Sequence, residues 1–177
     1  MKTLRQNNSG QALLELALIM PMLMIFVFGI VDYTRAIYDQ EVITNLAGEG
    51  SSMASRGGGL AATVAAVWSD ADIDMADNGC VIVTSVASPS SGSYKVTGQA
   101  YSTVCNSASS KIGCFPPPAG CGNATIPILV QTVVQTSTNP NAYITEVYFK
   151  FTPVTPVGAF LHVSSFLPSQ LYSVAYY

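Results

Sequence analysis

Gly10-Gln11-Ala12-Leu13-Leu14-Glu15-Leu16-Ala17-Leu18-Ile19-Met20-Pro21-Met22-Leu23-Met24-Ile25-Phe26-Val27-Phe28-Gly29-Ile30-Val31 decides the fold. From Ala12 to Val31 there are twenty residues with one charge, Glu15. A helix of that length rises about 30 Å, the hydrocarbon thickness of a bilayer. A chain of 177 residues cannot cover such a helix on every side with its own core. A cleaved secretory signal needs a small-x-small site after its apolar region, and Phe26-Val27-Phe28-Gly29-Ile30-Val31-Asp32 is bulky. The span is therefore expected to stay in the mature protein.

Lys2 and Arg5 precede the span, while Asp32, Arg35, Asp39 and Glu41 follow it. Positive charge on the near side places the amino terminus in the cytoplasm and the body of the chain outside. Pro21 lacks a donor for the Ala17 carbonyl and is expected to kink or locally unwind the helix. Glu15 needs a partner, since a carboxylate at the membrane centre costs about 2 to 3 kcal/mol and less near the interface. Scission between Gly10 and Gln11 would create a cationic amine four positions before Glu15, on the same or a neighbouring subunit. The plainer alternative is that Glu15 snorkels to headgroups.

A short basic leader, a glycine, a glutamate five residues on and an apolar helix together resemble the cleavage region of type IV prepilins and pseudopilins. The longer run Gly10 to Leu18, then Pro21, Gly29-Ile30-Val31-Asp32, Arg35, Asn45-Leu46-Ala47-Gly48-Glu49-Gly50 and Arg56, is similar to the TadE/TadF group of pseudopilins. Ser110-Lys111-Ile112-Gly113 and Thr145 to Pro153 look like later segments of that group. The resemblance implies a leader, residues 1–10, cut after Gly10, with Gln11 and Glu15 in the processing motif. It implies a transmembrane and stalk helix over 11–56 and a head outside the cytoplasm over 57–177. Its implied partners are a prepilin peptidase, other pilins and pseudopilins, inner-membrane platform proteins and membrane lipid.

The expected class is α+β and pilin-like, a long amino-terminal helix packed on a small antiparallel sheet. Val42, Ile43, Leu46, Ala47, Gly50, Met53 and Ala54 recur at spacings of three and four, a helical face that suits either neighbouring helices or the chain's own head. Arg56-Gly57-Gly58-Gly59 ends the helix, and alanine-rich Leu60 to Trp68 suits a second, short one. The carboxylates from Asp70 to Asp77 do not make a calcium loop, because Met75 and Val81 stand where glycine and glutamate would be needed. From Cys80 the period becomes two. Val81 to Val86 and Tyr94 to Tyr101 read as a hairpin around Ser88 to Ser93, Ile128 to Thr136 and Ala142 to Phe151 as two more strands, and Leu171 to Tyr177 as an edge strand. The carboxy-terminal aromatics are expected in the sheet core.

Cys80, Cys105, Cys114 and Cys121 lie on the outer side of the span, where an even count favours two disulfides over thiols. Three pairings are open. The one adopted joins Cys80 to Cys105 and Cys114 to Cys121, the second closing the Phe115-Pro116-Pro117-Pro118 loop. Zinc is disfavoured, since there is no Cys-x-x-Cys and the one histidine, His162, is remote. No metal or other cofactor is expected. Charged residues are 10% of the chain and the formal charge is −3, which falls to −5 if a leader containing Lys2 and Arg5 is removed. Scattered Lys and Arg in an acidic chain exclude nucleic acid as an expected partner. There is no phosphate loop, no Gly-x-Ser-x-Gly elbow and no carboxylate pair beside a nucleophile, so no enzymatic activity is expected. Two readings follow: a minor pseudopilin of a Tad-type pilus system, or a membrane-anchored head that binds a ligand or surface.

Overall fold

The computed structural model describes residues 9–87, 95–105, 108, 110–112, 141–155 and 168–177. The fold is α+β. Helix α1 (Ser9–Ser55) is followed by α2 (Leu60–Ser69), a single turn α3 (Met75–Asn78), and strands β1 (Gly79–Ala87), β2 (Lys95–Tyr101), β3 (Asn141–Lys150) and β4 (Gln170–Tyr176). The predicted strands at Val81, Tyr94, Ala142 and Leu171 match these four elements to within two residues at each end. The expected strand Ile128 to Thr136 lies outside the described residues.

The chain divides into two compact units. The first comprises Met1–Ile37 with Thr152–Pro168, the second Tyr38–Phe151 with Ser169–Tyr177. In the second unit, the four strands form an antiparallel sheet in the order β2-β1-β3-β4. The central pair β1 and β3 is in continuous register from Gly79 opposite Phe149 to Ala87 opposite Asn141. Both strands are buried over most of their length, so both faces of the sheet are covered. Val, Ile, Thr and aromatic residues fill them, the types that suit a pleated and enclosed surface.

One face carries helices. The carboxy-terminal part of α1 buries Ile43, Leu46, Ala47, Gly50, Ser51 and Ala54, while α2 buries Thr63, Val64 and Val67. Gly50 faces Thr145 of β3 and Val67 of α2 at a separation that leaves no room for a side chain. The small-residue stripe of α1 therefore docks on the chain's own head, which helical period alone could not distinguish from a partner helix. Met53, read from sequence as part of this stripe, is 41% exposed because it lies just off the buried arc.

The turn between α1 and α2 has a specific cause. The Gly57 N–H donates to the Ala54 carbonyl and the Gly58 N–H to the Met53 carbonyl, which satisfies two of the last helical acceptors. Gly57 and Gly59 have φ of 88° and 68°, in the left-handed region where a Cβ is strained.

The opposite face of the sheet is covered by chain that follows β2. Cys80, Ile82 and Tyr148 pack with Cys105 and Ala108, and Val86, Ala142 and Ile144 pack with Val96 and Ile112. A Cys80–Cys105 disulfide ties this cover to β1. That is the first of the two expected bridges; Cys114 and Cys121 lie outside the described residues.

Candidate membrane helix and processing site

In the first unit, α1 presents its apolar residues outward. Leu14 is 65% exposed and Leu18 73%, and the most apolar window of the helix has none of its residues buried. An exposed apolar surface of this extent is rare on a soluble monomer and marks a membrane or protein contact. The helix is long and apolar enough to cross a membrane. Pro21 lies inside α1, and the helical assignment continues through it. Pro21 has no N–H to offer the Ala17 carbonyl.

The expected scissile bond, between Gly10 and Gln11, lies within α1 near the start of the described residues. Gly10 has open space where a Cβ would project, and glycine gives up about 1 kcal/mol of helix propensity relative to alanine. Gln11 Nε2 donates to Glu15 Oε1 at 3.3 Å across one helical turn. Gly10, Gln11 and Glu15 are thus gathered on one short exposed segment at the start of the apolar run.

A second carboxylate, Asp32, ends the Gly29-Ile30-Val31-Asp32 run quoted for the family resemblance, and its burial was not expected. Asp32 is 2% exposed, and its Oδ1 accepts the Val154 N–H at 3.1 Å and the Thr155 N–H at 3.2 Å. The Thr155 hydroxyl donates to the other carboxylate oxygen. All three donors come from the segment after β3, so Asp32 clasps that segment where the apolar run of α1 ends. The sequence signal was its place at the end of Gly29-Ile30-Val31-Asp32, directly after the apolar run. Asp32→Ala is expected to raise amide exchange at Val154 and Thr155 at least about tenfold, because hydrogen bonds to a charged group are worth about 1.5 to 3 kcal/mol. Hydrogen exchange read by mass spectrometry checks this; unchanged rates would remove the clasp.

A third carboxylate lies in the head. Glu146 of β3 is fully buried. Its Oε1 accepts the Lys111 N–H at 2.9 Å, the Tyr148 hydroxyl at 3.0 Å and the Tyr172 hydroxyl at 3.1 Å, and its other oxygen accepts the Ser110 hydroxyl. Ser110 Oγ in turn accepts the Ile112 N–H at 3.2 Å. Lys111 Nζ stands 3.6 Å above the Tyr172 ring, a cation–π contact. Burial first, and the Glu146 carboxylate second, push the Tyr148 and Tyr172 hydroxyls well above the ordinary tyrosine range, and the same two causes raise Tyr176. The two stretches read as later family-like segments, at Ser110 and at Thr145, are thereby joined through one side chain. Residues of this kind, buried and satisfied on all sides, fix the cover of the sheet rather than present a reactive group.

Among the described residues, no group of three or more histidine, cysteine or acidic side chains could hold a metal ion. His162 lies outside them.

The molecule is thus an exposed apolar amino-terminal helix joined in one chain to a disulfide-tied α+β head, an architecture that suits a membrane-anchored protein. Residues 10–52 match the family model described as TadE-like protein, which bears out the resemblance read from Gly10 through Gly50. The match begins at the expected cleavage glycine and covers the span and most of the stalk. Nothing matches among curated proteins, and nothing matches among solved structures.

Proposed function

We propose that this chain is a minor pseudopilin of a Tad-type pilus system. It is cut after Gly10, spans the inner membrane once with its amino terminus in the cytoplasm, and holds its head outside. The observation that carries the reading is the coincidence of the TadE-like match over residues 10–52 with an apolar helix whose side chains face outward. A family tie to the pilus system gives the helix a destination, and the exposed surface gives it a solvent. Gly10, a weak helix former with open space around it, supports peptidase access, and Lys2 and Arg5 before the span support the orientation.

The role is structural rather than enzymatic. The buried carboxylates Asp32 and Glu146 are occupied by hydrogen bonds from the chain itself, while Glu15, among the described residues, is bonded to a neighbouring side chain of the same exposed helix. Glu15 is the carboxylate that a partner helix can use within lipid, where a polar group retains value only through such a partner. The partners of this reading are the prepilin peptidase, the pilins and pseudopilins of the system and its inner-membrane platform proteins.

The test is the mass of the amino-terminal peptide of protein recovered from membranes, with and without the prepilin peptidase. Processing predicts a first residue at position 11 that depends on the peptidase, and an intact Met1 in its presence leaves a plain single-pass anchor. Glu15→Ala is expected to abolish piliation while the head still folds, as read by its disulfide and protease resistance; piliation that survives the substitution removes the assembly role from this carboxylate.

A further inference from the structure

The processing reading leaves a glutamine at the new amino terminus, and its surroundings in the structure give it a chemical fate. We propose that Gln11, once exposed by scission after Gly10, is a modification site that closes to pyroglutamate. The inference rests on cleavage at that bond. It concerns what the new terminus then becomes.

The step balances without an oxidant or co-reactant. The Gln11 α-nitrogen attacks the side-chain carboxamide carbon Cδ, forming a five-membered lactam. The bond from Cδ to Nε2 breaks and ammonia leaves. The proton lost by the α-nitrogen ends on the departing nitrogen. Glu15 Oε1 lies 3.3 Å from that same Nε2, so the Glu15 carboxylate, after taking up the proton that the α-nitrogen loses, is the side chain placed to pass it to the departing nitrogen.

Three features of the site favour closure. Gln11 is exposed, so its side chain can fold back on its own backbone without displacing a packed neighbour. After scission Gln11 is the first residue, so its α-nitrogen has no preceding carbonyl to bond within the helix and ring formation sacrifices no helical hydrogen bond. The residues that follow, Ala12, Leu13 and Leu14, begin the apolar run, and a cationic amine at the edge of hydrocarbon carries a cost that a neutral lactam does not.

The consequence reaches the assembly role of Glu15. The sequence suggests an ion pair between that carboxylate and a free amino-terminal cation. Cyclisation removes the cation and leaves a lactam N–H, so any bond from this terminus to Glu15 is a neutral-donor hydrogen bond. The lactam nitrogen is also not basic and does not take a methyl group as an amine does.

The experiment is fragment-ion mass spectrometry of the amino-terminal peptide from the full chain recovered from membranes in the presence of the peptidase. The expected peptide begins at residue 11, is lighter than the glutamine form by one ammonia, and becomes sequenceable after treatment with pyroglutamyl aminopeptidase. A peptide beginning at Gln11 with a free or methylated amine overturns cyclisation while leaving cleavage intact. A terminus at any other residue overturns both. In a pulse-chase of the full chain, Glu15→Gln is expected to slow the ammonia loss several-fold after cleavage has occurred. Equal rates in the two proteins would take Glu15 out of the step.

Discussion

Replacing Glu146 by leucine will cost the head about 3 to 5 kcal/mol, because it strands several donors at once in a place water does not reach. The Lys111 N–H and the Tyr148, Tyr172 and Ser110 hydroxyls all converge on this one carboxylate. Leucine is similar in size and removes every acceptor. Glu146→Gln separates the hydrogen bonds from the charge: its Oε1 keeps three donors, and its amide group faces Ser110 Oγ, which can accept instead. The glutamine variant is expected to lose about 1 to 2 kcal/mol. Chemical denaturation of the oxidised protein measures both, and equal losses in the two variants would show that the network contributes through shape alone.

The same network sets the behaviour of the head in alkali. The folded-state pKa values of Tyr148 and Tyr172 are raised above the unfolded value near 10. Their contribution is therefore fully present below pH 10 and is lost as the pH rises above it, where only the unfolded chain readily sheds the protons. The denaturation midpoint should be insensitive to these two groups near neutrality and fall above pH 10. In the Tyr148→Phe, Tyr172→Phe double variant, that part of the fall should be absent.

A leucine at Gly50 is the second substitution with a large expected effect. A Cβ there would lie 2.8 Å from Thr145 Cγ2, 3.0 Å from Thr145 Oγ1 and 3.1 Å from Val67 Cγ2. Two of these atoms belong to a central strand and the third to α2, so none can retreat cheaply. Gly50→Leu is expected to destabilise by about 3 kcal/mol or more, and Gly50→Ala by about 1 to 2, after its gain in helix propensity of about 1 is set against the clash. Thr145 gives a way to check the cause. Its hydroxyl is buried without a hydrogen-bond partner among the described residues, so trimming it removes no bond. Thr145→Ala combined with Gly50→Ala should recover most of the loss, since the new methyl occupies the volume vacated opposite it. Additive losses would place the strain elsewhere.

These two sites show how differently the parts of the chain could be read beforehand. The apolar run from Ala12 to Val31 is legible because its length and composition alone exceed what a small soluble core can cover. The strands at Val81, Ala142 and Leu171 are legible because β-branched and aromatic residues cluster between turn residues. Cys80 and Cys105 were paired as adopted from the three options, and register explains it: Cys80 stands opposite Tyr148 on the face that the Cys105 segment covers.

Glu146 was not legible. A glutamate between Thr145 and Val147 looks like an outward polar position on a half-buried strand, and only a second layer over that face turns it inward. The enclosure of Asp32 was hidden in the same way, since its donors lie more than a hundred residues along the chain. The sequence by itself determined the long apolar helix, the change of period to strands and the leader-like motif at Gly10, because each is a local pattern of residue type and spacing. Tertiary structure alone decided that the small-residue stripe of α1 docks on its own sheet at Gly50 and which carboxylates are enclosed, because both depend on what lies across the gap, and one-dimensional spacing carries no information about that.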